Sequence, residues 1–184
     1  MVLQRARVWG AGANIDDVND GEPVALASVT LREITDANRA TVESLRVASG
    51  QEGFVDGVSD SLAEAARKPE GKPWFRAVYV GEEPVGFVML SDGVAPGEAQ
   101  WPWPYYLWRM LIDARYQGCG YGRATLDLLV AYLQTRPGAD LLTTSVVAGA
   151  GSPLGFYVRY GFRPTGETFG HEQVLQLPLI FDRA

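Results

Sequence analysis

The sequence predicts one α/β domain of the mixed (α+β) kind, and three observations lead there. Tyr106-Leu-Trp-Arg-Met-Leu-Ile112 reads as a buried strand, and beyond a glycine-rich turn Leu126, Leu129, Val130 and Leu133 recur at the period of a helix with one apolar face. Strand-like and helix-like segments follow one another in the order β-α-α-β-β-β-α-β-α-β-β. A chain of 184 residues suits one domain with at most a small extension.

Taken in order, residues 1–22 are poorly patterned and read as a loose N-terminal extension, leaving 23–184 as the domain. Val24 to Ile34 alternates and is the first strand. Thr35 or Asp36 is the expected N-cap of a helix reaching about Ala48, with Ala37, Thr41, Leu45 and Ala48 on one face. Ser49 to Ser59 is a connecting loop. Ser61 and Glu64 match the S-x-x-E capping box of a second, shorter helix that stops at Lys68-Pro69. Trp74 to Val80 and Val85 to Leu90 read as a hairpin about Gly81-Glu-Glu-Pro84. The long loop Ser91 to Pro104 is expected to serve function. The central strand, glycine turn and long helix come next, the helix stopping at Arg136-Pro-Gly138. Asp140 to Val147 is strand-like. Ser152 (N-cap) and Pro153 (N1) open a short helix that ends at Gly161, and Phe162 to Glu167 and Gln173 to Ile180 are the last strands.

Composition narrows the function classes. The net charge of −6 argues against nucleic acid, which needs clustered Lys and Arg, and is compatible with a cationic small substrate. No apolar run approaches the ~18 residues of a membrane span. Arg5 and Arg7 have no apolar run behind them, so no secretory signal is expected. One cysteine excludes an internal disulfide framework and fits a reducing cytoplasm. With a single histidine beside it, no metal site is expected.

The chemistry centres on the turn Gln117 to Arg123. Gly118, Gly120 and Gly122 let the backbone take positive φ and approach a ligand closely, and the helix start offers unpaired N–H groups to phosphate. The spacing is not that of a nucleoside-triphosphate loop, and no Lys follows. A dinucleotide fingerprint fails because its third glycine would fall at Arg123. What remains, Gln117-x-x-Gly120-x-Gly122, resembles the acetyl-CoA loop of the GCN5-related N-acetyltransferases, the GNAT family. Ser152-Pro-Leu-Gly-Phe-Tyr157-Val-Arg-Tyr-Gly-Phe162 resembles the same family's second cofactor segment, and the element order agrees over residues 24–181. Arg109-Met-Leu-Ile-Asp-x-x-Tyr-Gln-Gly-x-Gly-Tyr-Gly122, with Ser59 to Ala65 and Pro84-Val-Gly-Phe-Val-Met89, is similar to the bacterial spermine/spermidine acetyltransferase subgroup.

The resemblance implies a mostly antiparallel sheet with a splayed central pair of parallel strands. It implies acetyl-CoA as co-substrate, without a metal, and direct acetyl transfer to an amine through a ternary complex. Cofactor-binding positions would be Met110, Leu111, Ile112, Gln117, Gly118, Cys119, Gly120, Tyr121, Gly122, Arg123 and Ser152. A main-chain N–H of Met110 or Leu111 would polarise the thioester carbonyl. Tyr157 would be the acid that protonates the leaving thiolate.

The acceptor pocket is expected between the Ser49–Ser59 loop, the Ser91–Pro104 loop and the last hairpin. Trp101, Trp103, Tyr105, Tyr106 and Trp108 would form its aromatic wall. Glu52, Asp56, Trp103 and Glu172 are the candidate substrate residues. The general base is open among Glu52, Asp56, Asp92, Glu98 and Glu172, alone or through water. A polyamine-like small amine is the expected substrate. A protein, peptide or antibiotic amine on the same fold, or a non-catalytic acyl-CoA-binding domain, stays open. So does a homodimer through the last strands.

Overall fold

A computed structural model describes residues 28–179. The expected loose extension 1–22 and the ends of the first and last strands lie outside the described residues. Seven strands form one sheet: β1 (Val29–Arg32), β2 (Pro73–Val80), β3 (Glu83–Asp92), β4 (Tyr105–Ile112), β5 (Leu141–Val146), β6 (Arg163–Phe169) and β7 (Glu172–Pro178). They lie in the order β1-β2-β3-β4-β5-β7-β6, and only β4 and β5 pair in parallel. Four α-helices, α1 (Arg39–Glu43), α2 (Val58–Arg67), α3 (Tyr121–Leu133) and α4 (Leu154–Tyr160), and two short 3-10 turns, Pro69–Gly71 and Ala114–Tyr116, complete the described part.

The sheet separates two apolar clusters. One gathers α3 and α4 over Val88, Leu90, Leu107, Leu142 and Leu175. The other gathers α1 and α2 over Ala77, Phe87, Met89 and Leu111. Along α3, Leu126, Leu129 and Leu133 are each fully buried. Each such leucine contributes roughly 1.5–3 kcal/mol by leaving water. Both hairpins turn in two residues. Gly81 (φ 58°) closes Val80 against Glu83, and Gly170 (φ 62°) closes Phe169 against Glu172.

Local signals near the N-terminus were overruled. The first helix has five residues, not the expected run to Ala48, and it buries Val42 while Ala37 and Thr41 stay exposed. Neither Thr35 nor Asp36 caps it. Asn38 is the N-cap position, and its side chain accepts from the Thr35 N–H at 2.8 Å instead. The capping box also fails: α2 already begins at Val58, so Ser61 lies inside the helix and donates back to the Gly57 carbonyl at 2.8 Å. Glu64 is thereby released to pair elsewhere. Ser152 is one residue out as a cap. Pro153 takes the N-cap position of α4, and Ser152 Oγ accepts from Leu154 N at 3.3 Å.

Candidate active site

The site begins where two neighbouring strands part. β4 and β5 pair only at Tyr106 with Thr143 and Leu107 with Thr144. Thr144 Oγ1, donating to Leu107 O at 3.1 Å, fastens that last contact. On its other side β4 carries an extra residue: Met89 faces Arg109 but Leu90 faces Leu107, so Trp108 forms a bulge. Main-chain groups alternate sides along a strand. Asp113 N donates to Val85 O at 2.9 Å, so Leu111 also turns its main chain to β3. Met110 and Ile112 therefore turn theirs to the gap beside β5. Of the two N–H groups expected to polarise a carbonyl, Met110 keeps that option and Leu111 loses it to the sheet ladder.

The gap opens into a cleft of about 1090 Å³. At one end lies the glycine turn. Asp113 is 4% exposed and accepts from Arg46 N, Arg115 N and Arg115 Nε at 2.8–3.0 Å. Burial alone would raise its pKa, but the hydrogen bonds from Arg115 and from the Arg46 and Arg115 main chain outweigh it and hold the carboxyl below its usual range. Gln117 Nε2 donates to Ile112 O at 2.9 Å and Gln51 Oε1 at 2.8 Å, tying the turn to β4 and to the loop after α1. Gly118 (φ 78°) and Gly120 (φ 83°) take the left-handed conformation. Gly122 serves packing instead: a Cβ there would lie 3.3 Å from the Phe156 ring and 3.4 Å from Met110 Cε.

Among the described residues, none accepts a hydrogen bond from the main-chain N–H of residues 118–123. These donors lie in a turn that leads into a thirteen-residue helix, an arrangement that fits a diphosphate. Tyr121, Gly122 and Arg123 line the cleft with Gln117, Gly118 and Gly120. The Arg123 guanidinium lies 5.5 Å from the Tyr160 ring centre. The Cys119 side chain is outside the cleft lining, and its exposed thiol turns back to Gln117 O at 3.7 Å, so only its main-chain N–H is left for the expected cofactor contact.

Tyr157, 6% exposed, lines the cleft from α4. Its ring meets Phe156 and Phe162 edge-on, with centres 5.2 Å away in each case. Burial pushes its phenol far above the ordinary value, the nearby Tyr106 adds to this, and the Thr144 hydroxyl offsets a part. The proton therefore stays on oxygen at any physiological pH. Ser152 lines the cleft and fastens the turn after β5, donating to Val147 O at 2.6 Å.

The cleft is also lined by Glu52, Asp56, Tyr106, Trp108, Arg109, Ser145, His171 and Glu172. Arg109 binds Asp56 at 2.6 Å and Glu64 at 2.8 Å, so the charge of Asp56 is matched inside the protein. Glu52 folds back onto the Gly50 N–H at 2.7 Å. Tyr106 Oη lies 2.6 Å from Ser145 Oγ, and Ser145 hydrogen-bonds Glu172 Oε2 in turn.

The Ser91–Pro104 loop does not line the cleft. Its main chain closes on itself through Gly93 N and Val94 N to Pro104 O. Trp103 packs against Tyr106 and Phe169, Trp101 is buried against Tyr106 and Trp108, and Tyr105 belongs to the α3 core. The aromatic wall thus reduces to Tyr106 and Trp108, because the indoles of this loop are the apolar cover of the second core. Asp92 and Glu98 drop out as bases. Asp92 holds Tyr132 and Arg136, and Glu98 holds Lys72 at 2.7 Å. Arg109, Thr144 and Ser145 were missed by sequence reasoning. Arg109 had a signal, a lone charge inside an otherwise apolar strand. The two β5 hydroxyls had none. Among the described residues no cluster of His, Cys, Asp or Glu is suited to hold a metal, and no helix is long and apolar enough to cross a membrane.

Known proteins resemble this chain in sequence and in fold. The family model of the acetyltransferase (GNAT) family matches residues 40–162. The spermine/spermidine N(1)-acetyltransferase of Bacillus subtilis is 28% identical over 149 residues, covering 80% of this chain and 97% of that protein. The peptidyl-lysine N-acetyltransferase YjaB of Escherichia coli is 30% identical over 100 residues, covering 54% and 55%. Among solved structures, the PaiA N-acetyltransferase of Thermoplasma acidophilum in complex with coenzyme A aligns with a TM-score of 0.57 at 15% identity, covering 82% of this chain and 99% of that one. An acetyltransferase of Thermus thermophilus aligns at 0.58 and 19%, covering 83% and 98%.

Proposed function

Since the chain belongs to the GNAT family and is an N-acetyltransferase, we propose that it transfers acetyl directly from acetyl-CoA to the primary amine of a small polycation of the polyamine class, within a ternary complex. Acetyl-CoA supplies the activated acetyl group. The protein supplies the grip, the acid and the acceptor site. N–H groups of residues 118–123 would hold the diphosphate, as the glycine turn leaves them unpaired. The Met110 and Ile112 main chain would pair with the extended pantetheine arm in the gap beside β5. A phenol kept protonated by burial would make Tyr157 the proton donor to the departing sulfur.

The observation that carries the acceptor assignment is the part of the cleft where Ser145 links Glu172 to the Tyr106 hydroxyl, with the Trp108 ring in the same lining. A carboxylate with aromatic faces near it attracts an ammonium group. Kinship along nearly the whole length of the Bacillus subtilis enzyme points the same way. A lysine side chain also offers a primary amine, and the likeness to the peptidyl-lysine enzyme favours that second reading. An amine panel with acetyl-CoA, following thiol release, separates the two. Turnover of spermidine and spermine without turnover of lysine peptides is the expected result. Turnover of the peptides alone would replace the polyamine by a protein acceptor. A reducing cytoplasm suits the single exposed thiol of Cys119.

A further inference from the structure

We infer that Glu172, reached through Ser145 and Tyr106, takes the proton that the acceptor ammonium must lose before it attacks; the inference rests on the acetyltransferase reading above. Three oxygens from three strands lie in a row: Tyr106 Oη on β4, Ser145 Oγ on β5 and Glu172 Oε2 on β7. The proton positions follow from valence. An ionised carboxylate only accepts, so Ser145 spends its single proton on Glu172. Tyr106 must then be the donor to Ser145, and the lone pairs of its oxygen are left to accept from a group in the cleft. Tyr106 is 5% exposed and lines that cleft, one residue before Leu107, whose pairing with Thr144 is the last before β4 and β5 part.

The competing carboxylates are committed elsewhere. Asp56 is bound by Arg109, and Glu52 is turned onto Gly50 N–H. Glu172 is the cleft carboxylate that continues into a chain of hydroxyls. The charged and titratable groups around the row are Arg109 and Glu64 near Tyr106, Tyr157 from α4, and His171 beside Glu172 in the hairpin.

The transfer balances. One N–H bond of the ammonium breaks and its proton bonds to Tyr106 Oη. The phenol's own proton passes to Ser145 Oγ, and the serine's proton passes to Glu172. The electron pair of the broken bond stays on nitrogen as the nucleophile, and Glu172 ends as a neutral acid. Glu172 is only partly buried and discharges that proton to solvent. In this relay Glu172 and Ser145, which also line the cleft, act through Tyr106.

The test compares wild type, Glu172→Gln, Ser145→Ala and Ser145→Thr over pH 6–10. It measures kcat and amine KM, with acetyl-CoA affinity by calorimetry and thermal melting on each protein. Glu172→Gln and Ser145→Ala are expected to lose kcat by about 10²-fold at pH 7, with acetyl-CoA affinity and melting unchanged. The loss should shrink as pH nears the amine's own pKa, where solution supplies free amine. Ser145→Thr, which keeps a hydroxyl, should recover most of it. Wild-type kcat in Glu172→Gln, a loss confined to amine KM, or a loss equal at every pH overturns the relay and leaves the acetyltransferase reading standing. A wild type that binds acetyl-CoA yet acetylates no amine overturns both.

Discussion

Removing one oxygen from Tyr157 is the most discriminating change the site offers. In Tyr157→Phe the ring keeps its edge contacts with Phe156 and Phe162, both at 5.2 Å, so the α4 packing persists. The Thr144 hydroxyl keeps its bond to Leu107 O at 3.1 Å. With the packing kept, the stability cost should stay below about 1 kcal/mol. The catalytic cost is larger. A positioned general acid contributes at least about 10²-fold, or about 2.7 kcal/mol of barrier. Because burial keeps the phenol protonated, the loss should be the same from pH 6 to 9. Acetyl-CoA affinity should hold, since its proposed grip lies in main chain elsewhere. Stopped assays of acetylated amine by mass give kcat without interference from the Cys119 thiol. A kcat within twofold of wild type refutes the acid role, and a matching loss of acetyl-CoA affinity would show that Tyr157 binds rather than reacts.

Two further outcomes probe the frame around the site. Gly86 faces Ile112 across β3 and β4, and a Cβ there would fall 2.5 Å from Leu111 O and 2.8 Å from Ile112 Cδ1. Gly86→Ala should destabilise by about 1–3 kcal/mol in urea unfolding and weaken acetyl-CoA binding by displacing the edge of the gap; unchanged stability would mean that β4 yields freely. At high pH, burial first and the hydrogen bond to Asp92 second push the Tyr132 phenol up to about 12. The folded chain keeps this proton while the unfolded chain loses it near pH 10, so stability should fall as pH rises from about 10 to 12. Asp92→Asn should flatten part of that fall, and constant stability through pH 11 would contradict it.

How much of this was legible in sequence depended on how far apart the interacting residues lie. The strand, glycine turn and α3 could be read because each rule acts within a few residues: apolar period for α3, positive φ for Gly118 and Gly120. The hairpin at Gly81 and the stop at Lys68-Pro69 are equally local. The same short range misled at Ser61, where a capping spacing occurs one turn inside a helix that Val58 had already begun. It misled again at Trp103, where an aromatic run resembles a binding wall but covers a core.

The sequence by itself determined the order of elements and the glycine turn between β4 and α3, since dihedral preference and periodicity are written in neighbouring residues. Only the tertiary structure decided what surrounds the reacting groups. Arg109 meets Asp56 and Glu64 from 53 and 45 residues away, and Tyr106 meets Ser145 and Glu172 across three strands. Hydrogen bonds and charge pairs act through space over a few ångströms, and the register of the sheet, not chain neighbourhood, sets which side chains come that close.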